Sequence, residues 1–89
     1  MIACENDGCR IAGEVTVDTV GRLLRELQPH LAAGVRRLDF GGVERADSAA
    51  LALIFGALRQ TGGTLTCTGL PASFVTLAEL YGVADLLPA

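Results

Sequence analysis

The side chains that could act as a nucleophile and as a general base lie far apart in this sequence. Ser48 follows Asp47, whereas His30, the only histidine, follows Pro29. Nucleophilic catalysis needs a base within hydrogen-bond reach of the nucleophile, and no spacing here brings the two together. A lone histidine near a helix end is more often a partner of the helix dipole. We therefore predict that the protein is not an enzyme and has no catalytic residues.

The acidic residues and the glycine pairs have structural uses that account for them. Carboxylates beside turns and helix starts accept backbone N–H groups, so no catalytic pair is indicated. The carboxylates placed in this way are Glu14, Asp39, Glu44, Asp47 and Asp85. Neither Gly41-Gly42 nor Gly62-Gly63 fits a phosphate-binding loop. The sequence predicts no nucleotide site and no cofactor.

Three cysteines, Cys4, Cys9 and Cys67, occur in a chain whose first residues lack the pattern of a secretion signal. An odd number in that setting favours reduced thiols in the core over a disulfide framework. Cys4 and Cys9, with only His30 elsewhere, do not supply a four-ligand zinc site, so no metal is predicted. If the first two strands form a hairpin, Cys4 and Cys9 face each other and are able to pair in air, so their pairing stays open.

The charge pattern excludes several classes of partner. The formal net charge is −3, and the seven basic residues are all arginines scattered along the chain. There is no basic stripe to neutralise phosphates and no aromatic platform for bases, so neither nucleic acid nor anionic lipid is a predicted ligand. No apolar run reaches the roughly 18 residues of a membrane span. We expect a cytoplasmic protein that does not insert into a membrane.

Alternating apolar residues predict that a β-hairpin opens the chain. Short strands are expected at Ile2–Cys4 and Cys9–Ala12. The four residues between them, 5–8, contain Asp followed by Gly, which supplies the positive φ that a hairpin turn requires.

Apolar residues at helical spacing predict a helix after the hairpin. It runs from Val17 to the terminator Gly34, with Thr16 or Asp18 as its N-cap. Pro29 lies late in this helix, where we expect a kink or a stop because proline lacks a backbone donor.

The second half of the chain predicts two more strands and two more helices. The strand Val35–Phe40 is expected to end at Gly41-Gly42, and a loop follows over residues 43–46. The next elements are a helix at Ala49–Gln60 with Ser48 as N-cap, a strand at Thr64–Thr68, and a helix from Ala72 or Ser73 to Leu80, ended by Gly82. The apolar tail 83–87 is expected to pack against the rest of the domain as a short extra element.

The resulting order is β-β-α-β-α-β-α. Helical crossovers between the last three strands imply parallel pairing with right-handed connections. We predict a single α/β domain over residues 1–89, with a mixed four-stranded sheet and helices mainly on one face.

The helix that begins after Ser48 has an unusual composition, because no charged residue occurs between Asp47 and Arg59. Leu51, Ile54, Phe55 and Leu58 are assigned to the core by their spacing. The opposite face is then small and apolar, which favours a surface that another protein covers, with burial under neighbouring elements as the alternative. The predicted partner-binding residues are Asp47, Ser48, Ala49, Ala52, Leu53 and Gly56.

Ser48 is also a candidate phosphorylation site. The first N–H groups of a helix are expected to be unpaired, so a phosphate would be tolerated there. Phosphorylation adds about −1.5 to −2 charges. Beside an apolar docking surface that charge would disfavour burial against a partner, so phosphorylation of Ser48 would switch partner binding off.

These motifs resemble the STAS domain family. The likeness is carried by Gly13-Glu14-Val15, the strand Leu38-Asp39-Phe40, Val43, and the run from Asp47 to Leu53. The resemblance implies a module that binds partner proteins, in some members under control of phosphorylation at the residue matching Ser48. The family often has glycine where this chain has Ala49 or Ala50, and this difference favours plain docking over a regulated switch.

The C-terminal part is similar to one branch of that family, the STAS subunits of Mla phospholipid transporters. Residues 46–48, 51–53, 76–83 and 84–88 carry this likeness. It implies an accessory subunit that binds the cytoplasmic ATPase of an ABC complex with its permease at the inner membrane, and that supports outer-membrane lipid asymmetry. The alternative is an anti-sigma-factor antagonist that an anti-sigma kinase phosphorylates at Ser48.

Overall fold

A computed structural model describes residues 1–5 and 8–87, and the turn predicted at Asn6 and Asp7 lies outside the described residues. Strand β1 (Ile2–Glu5) pairs antiparallel with β2 (Gly8–Val15), with Cys4 directly opposite Cys9. Both strands extend beyond the predicted ends. The predicted pairing of the first two strands is confirmed.

Helix α1 (Val20–Ala32) begins three residues later than predicted. The Thr19 hydroxyl accepts the Thr16 N–H at 2.9 Å and donates to the Glu14 carbonyl at 2.9 Å, so residues 16–19 form a turn after β2. Thr19 takes the N-cap position, and the predicted caps Thr16 and Asp18 were wrong. The buried stripe of α1 is Leu23, Leu27 and Leu31.

Pro29 lies inside α1 and does not end it. The carbonyl groups of Pro29 and His30 share the Ala33 N–H, at 3.0 and 3.1 Å. Beyond them the Arg36 guanidinium donates to the Leu31 carbonyl at 2.9 Å. A proline removes only its own donor from the ladder, and the carbonyl groups of Pro29, His30 and Leu31 all accept hydrogen bonds.

Strand β3 (Arg37–Ala46) runs through Gly41-Gly42, so the predicted break and the predicted loop at residues 43–46 were both wrong. Its pairing with β2 is parallel and shifts register near these glycines, where Ala12 lies opposite Gly42. A Cβ on Gly42 would lie 2.9 Å from the Ala12 Cβ. The glycine therefore permits close strand contact at a bulge rather than a turn.

The remaining elements follow the prediction closely. Helix α2 spans Ala49–Gln60, strand β4 spans Thr66–Thr68, and helix α3 spans Ala72–Leu80. Gly82, with φ +71°, ends α3, and a short 3₁₀ turn at Ala84–Leu86 follows.

The sheet has the order β1-β2-β3-β4, with β3 parallel to both of its neighbours. The predicted fold class and element order are confirmed. The helices cover one face of the sheet, where alternate strand residues such as Ile11, Leu38 and Cys67 are buried, whereas Arg10, Thr66 and Thr68 on the other face are exposed. The Phe40 and Phe74 rings, 5.5 Å apart, join β3 to α3 within the core.

Gly69, directly after β4, lies against the backbone of β3. It has φ +65°, and a Cβ there would lie 2.8 Å from the backbone nitrogen of Gly41. Gly62, after α2, has almost the same φ, +66°, but no atom lies within 4 Å of its Cβ position. Both glycines therefore have a left-handed backbone, but only Gly69 also lacks space for a Cβ atom.

We predict that Gly69→Ala destabilises the fold more than Gly62→Ala. Left-handed backbone alone costs about 1 kcal/mol at each site, and the backbone contact at Gly69 adds about 1–3 kcal/mol. Urea unfolding followed by circular dichroism measures both. Equal losses would show that β3 moves away from residue 69 without cost.

Burial affects the chemistry of Cys67. Its side chain is 3% exposed, and desolvation raises the pKa of the thiol to about 12. Above pH 9 the unfolded thiol releases its proton while the folded thiol keeps it. The unfolded state then binds fewer protons, so stability falls as pH rises through the interval between the two pKa values.

We predict that the free energy of unfolding of the wild type falls more steeply between pH 9 and 10.5 than that of Cys67→Ala. The difference between the two slopes should reach up to about 1.4 kcal/mol per pH unit. Urea titrations at several pH values, without reductant, measure the difference. Parallel curves for the two proteins would show that Cys67 ionises as easily in the folded state as in the unfolded one.

Candidate functional site

The turn between β3 and α2 lies beside the turn between β2 and α1, because β2 and β3 are parallel and both helices start at the same edge of the sheet. Asp47 joins the two turns. Its Oδ1 accepts the Ala49 N–H at 2.8 Å, and its Oδ2 accepts the Val17 N–H at 3.1 Å. The Asp47 N–H donates in turn to the Val15 carbonyl at 3.3 Å.

Ser48 occupies the N-cap position of α2 but makes no side-chain capping hydrogen bond within the described part of the chain. Asp47 does the capping, so the predicted role of Ser48 as cap was wrong. The hydroxyl is exposed.

The first amides of α2 already have partners, contrary to the expectation that they are unpaired. Ala49 donates to the Asp47 carboxylate, Ala50 donates to the Asp47 carbonyl at 3.0 Å, and Leu51 donates to the Ser48 carbonyl at 3.2 Å. The Asp47 carboxylate therefore occupies the place where an anion would interact with the helix dipole.

Leu53 was predicted to face a partner, and this was wrong. Its side chain is fully buried in the core cluster. The buried arc of α2 is Ala50, Leu51, Leu53, Ile54 and Ala57. Phe55 and Leu58, which were assigned to the core, are only half-buried.

Gly56 belongs to the contact between two helices. A Cβ on it would lie 3.4 Å from Cδ2 of Leu24 on α1. One turn further on, Nε2 of Gln60 donates to the Gln28 carbonyl at 3.0 Å. The alternative prediction, burial under neighbouring elements, therefore holds for Leu53 and only in part for Gly56, which is half-buried.

What remains accessible is a narrower surface, which we call the α2 strip: Val17, Ser48, Ala49, Ala52 and Phe55. Ser48, Ala52 and Val17 are exposed, the last by 72%, while Ala49 and Phe55 are half-buried. Residues 48, 52 and 55 share one side of α2 because they are three and four positions apart. The strip carries no charged side chain.

Val17 was missed by the sequence prediction. Its spacing to Val20 and Leu24 matches a buried helical stripe, so it was placed at the start of α1. The two threonines at 16 and 19, which form the turn before α1, were the only local signal against that assignment.

The other chemically active groups lie elsewhere. Cys4 and Cys9 form a disulfide, so the preference for reduced thiols was wrong for this pair and right for Cys67, which is free and buried. Asp39 accepts the Gly41 N–H at 2.8 Å, and Glu14 lies 4.0 Å from Arg45. These carboxylates have structural partners and do not converge on a common point.

No helix of residues 1–5 and 8–87 is long and apolar enough to cross a membrane.

Comparison with known families decides the relationship. A family model described as "Mlab, STAS domain" matches residues 4–88. The chain belongs to the STAS family. STAS domains are generally non-enzymatic modules that bind other proteins or regulate them.

A solved STAS structure shares the fold. The anti-sigma factor antagonist SpoIIAA in its unphosphorylated form aligns with a TM-score of 0.68 at 14% identity, over 97% of this chain and 83% of that chain. At this identity the likeness establishes the fold alone. A search of curated proteins finds no match.

We predict that Asp47→Ala destabilises the fold by about 1–2 kcal/mol, because it removes the cap of α2. It also removes the link to Val17. Ser48→Ala is the matched control, and we expect a change within about 0.5 kcal/mol because the exposed hydroxyl makes no capping bond. Urea unfolding measures both variants. A larger loss for Ser48→Ala would contradict the assignment of Asp47 as the cap.

Proposed function

We propose that this STAS domain is a non-catalytic subunit that binds the cytoplasmic ATPase of an ABC phospholipid transporter. The observation that carries the proposal is the match of residues 4–88 to the MlaB-type family model. The protein would lie at the inner membrane through its partner, in a complex with the permease that maintains outer-membrane lipid asymmetry.

The α2 strip is the surface that fits this role best. It lies at the start of a helix and presents small side chains, Ser48, Ala49 and Ala52, on one side. Small residues allow a partner helix or loop to approach the backbone closely. Half-buried Phe55 and exposed Val17 add apolar area that loses contact with water when a partner covers it.

The rigidity of this surface supports the same role. Asp47 fixes the start of α2 and the turn that carries Val17 through two hydrogen bonds from one carboxylate. A surface that is already ordered loses little conformational entropy on association. We therefore assign Asp47 as a positioning residue for the interface, with the α2 strip as the contact surface.

A second candidate function is that of an anti-sigma-factor antagonist phosphorylated by an anti-sigma kinase at Ser48. The observation in its favour is the exposed Ser48 hydroxyl, which makes no capping hydrogen bond within the described residues. A phosphate would place a second anionic group beside the Asp47 carboxylate, and the like charges would repel. The structural consequence would be a weaker link between Asp47 and Val17 and a changed docking surface.

We predict that Ala52→Arg lowers the recovery of the ATPase about tenfold or more, because it puts an unpaired charge on the α2 strip. Tagged protein is isolated with membranes from its host, and the ATPase and permease are quantified by mass spectrometry. Ala33→Arg, exposed at the end of α1, is the matched control and should bind like wild type.

The melting temperatures of both variants verify that the fold is intact. Full binding by Ala52→Arg would exclude the α2 strip. Recovery of a soluble serine kinase instead of an ATPase, with phosphate on Ser48, would favour the antagonist function.

A further inference from the structure

A second cluster of chemically active side chains lies at the opposite end of the sheet from the α2 strip. The Sγ atoms of Cys4 and Cys9 and a ring nitrogen of His30 all lie within 4.8 Å of one another. The three residues come from different elements: β1, β2 and the last turn of α1. The packing of α1 on the sheet therefore brings together ligand types that are far apart in the sequence.

We propose that, after reduction of the Cys4–Cys9 disulfide, Cys4, Cys9 and His30 form a binding site for a thiophilic metal ion of the zinc type. Thiolate sulfur and imidazole nitrogen are the ligands that Zn²⁺ takes most often in proteins. Three protein ligands leave one position of a tetrahedron open, to be filled by water or by a group from a partner.

The chemistry requires a two-electron reductant, and a dithiol is one class that supplies the electrons. Thiol–disulfide exchange with a dithiol passes two electrons and two protons to the Cys4–Cys9 bond, which becomes two thiols while the dithiol becomes a disulfide. Zn²⁺ then displaces a proton from each thiol and binds two thiolates and the neutral imidazole. The metal neither gains nor loses electrons.

The present positions are close to those that the metal needs. Zinc binds sulfur at about 2.3 Å and nitrogen at about 2.0–2.1 Å, so tetrahedral ligand atoms lie roughly 3.4–3.8 Å apart. Breaking the disulfide separates the two sulfur atoms toward this spacing, since they no longer share a bond. His30, within 4.8 Å of both, needs a shift of about 1 Å, which rotation of an exposed side chain supplies.

Charge and access also suit a metal ion. Two thiolates neutralise the charge of Zn²⁺, which limits the cost of placing it beside the buried Cys9. Cys4 is half-buried and His30 is exposed, so the ion has a path from solvent. The oxidised pair has no thiol that can ionise, so the disulfide and the metal are alternatives, and the redox state decides which one forms.

The test uses the full chain with Cys67→Ala as background, so that only the two cysteines of the cluster remain. Reduced protein is titrated with Zn²⁺ against a chromophoric chelator in the presence of a phosphine reductant. We expect one zinc per chain. Cobalt in place of zinc should give a thiolate charge-transfer band and the intense visible bands of tetrahedral Co²⁺.

His30→Ala should lower the zinc affinity by roughly tenfold or more, and Cys4→Ser should lower it further. Protein oxidised to the disulfide should bind no zinc. Glu26→Ala, exposed on α1, is a control that should bind like the background protein. Circular dichroism verifies that each variant is folded.

Several results would overturn the proposal: no stoichiometric zinc in the reduced protein, equal affinity for His30→Ala, or equal binding by the oxidised protein. One zinc per two chains would also overturn it, because the three ligands would then not act within one molecule. None of these results bears on the binding of an ATPase at the α2 strip, so the two proposals fail separately.

Discussion

The parallel pairing of β2 with β3 is the constraint on which the position of every other element depends. Since both strands run in the same direction, the helix that follows each must begin at the same edge of the sheet. The turns before α1 and α2 therefore become neighbours, although thirty residues separate Val17 from Asp47 along the chain. One carboxylate is then enough to join them, and the α2 strip results from that junction. The same geometry brings the end of α1 to the hairpin, where His30 meets the two cysteines.

The kinds of element and their order could be predicted from the sequence because local patterns determine them. The stripe of Leu23, Leu27 and Leu31 has a helical period that no strand shares. Crossover helices in turn imply parallel strands. The ends were less predictable, because they depend on contacts with distant residues. Gly41-Gly42 has the composition of a turn, yet close packing of β3 against Ala12 requires a glycine at the same place.

The candidate site shows a second limit of prediction from the spacing of apolar residues. Nearly every residue of α2 is apolar, so its pattern does not distinguish one helical face from the next. The assignment that put Phe55 in the core and Leu53 outside was rotated by about one residue, or roughly 100°. Packing against the sheet, α1 and α3 determines the rotation of α2. Asp47 and Ser48 are both good N-cap residues by type, and the choice between them depends on the Val17 amide, which is a tertiary partner.

The two edges of the sheet are short, with four residues in β1 and three in β4. Exposed strand edges are templates on which other chains can add by backbone pairing, and long apolar edges promote fibril formation. Here β1 is tied to β2 by a disulfide, and the solvent face of β4 carries Thr66 and Thr68. The short edge strands offer few backbone groups with which a second copy of the chain could pair. Short edges therefore limit pairing between copies, although the chain is half apolar by composition and the α2 strip exposes apolar side chains.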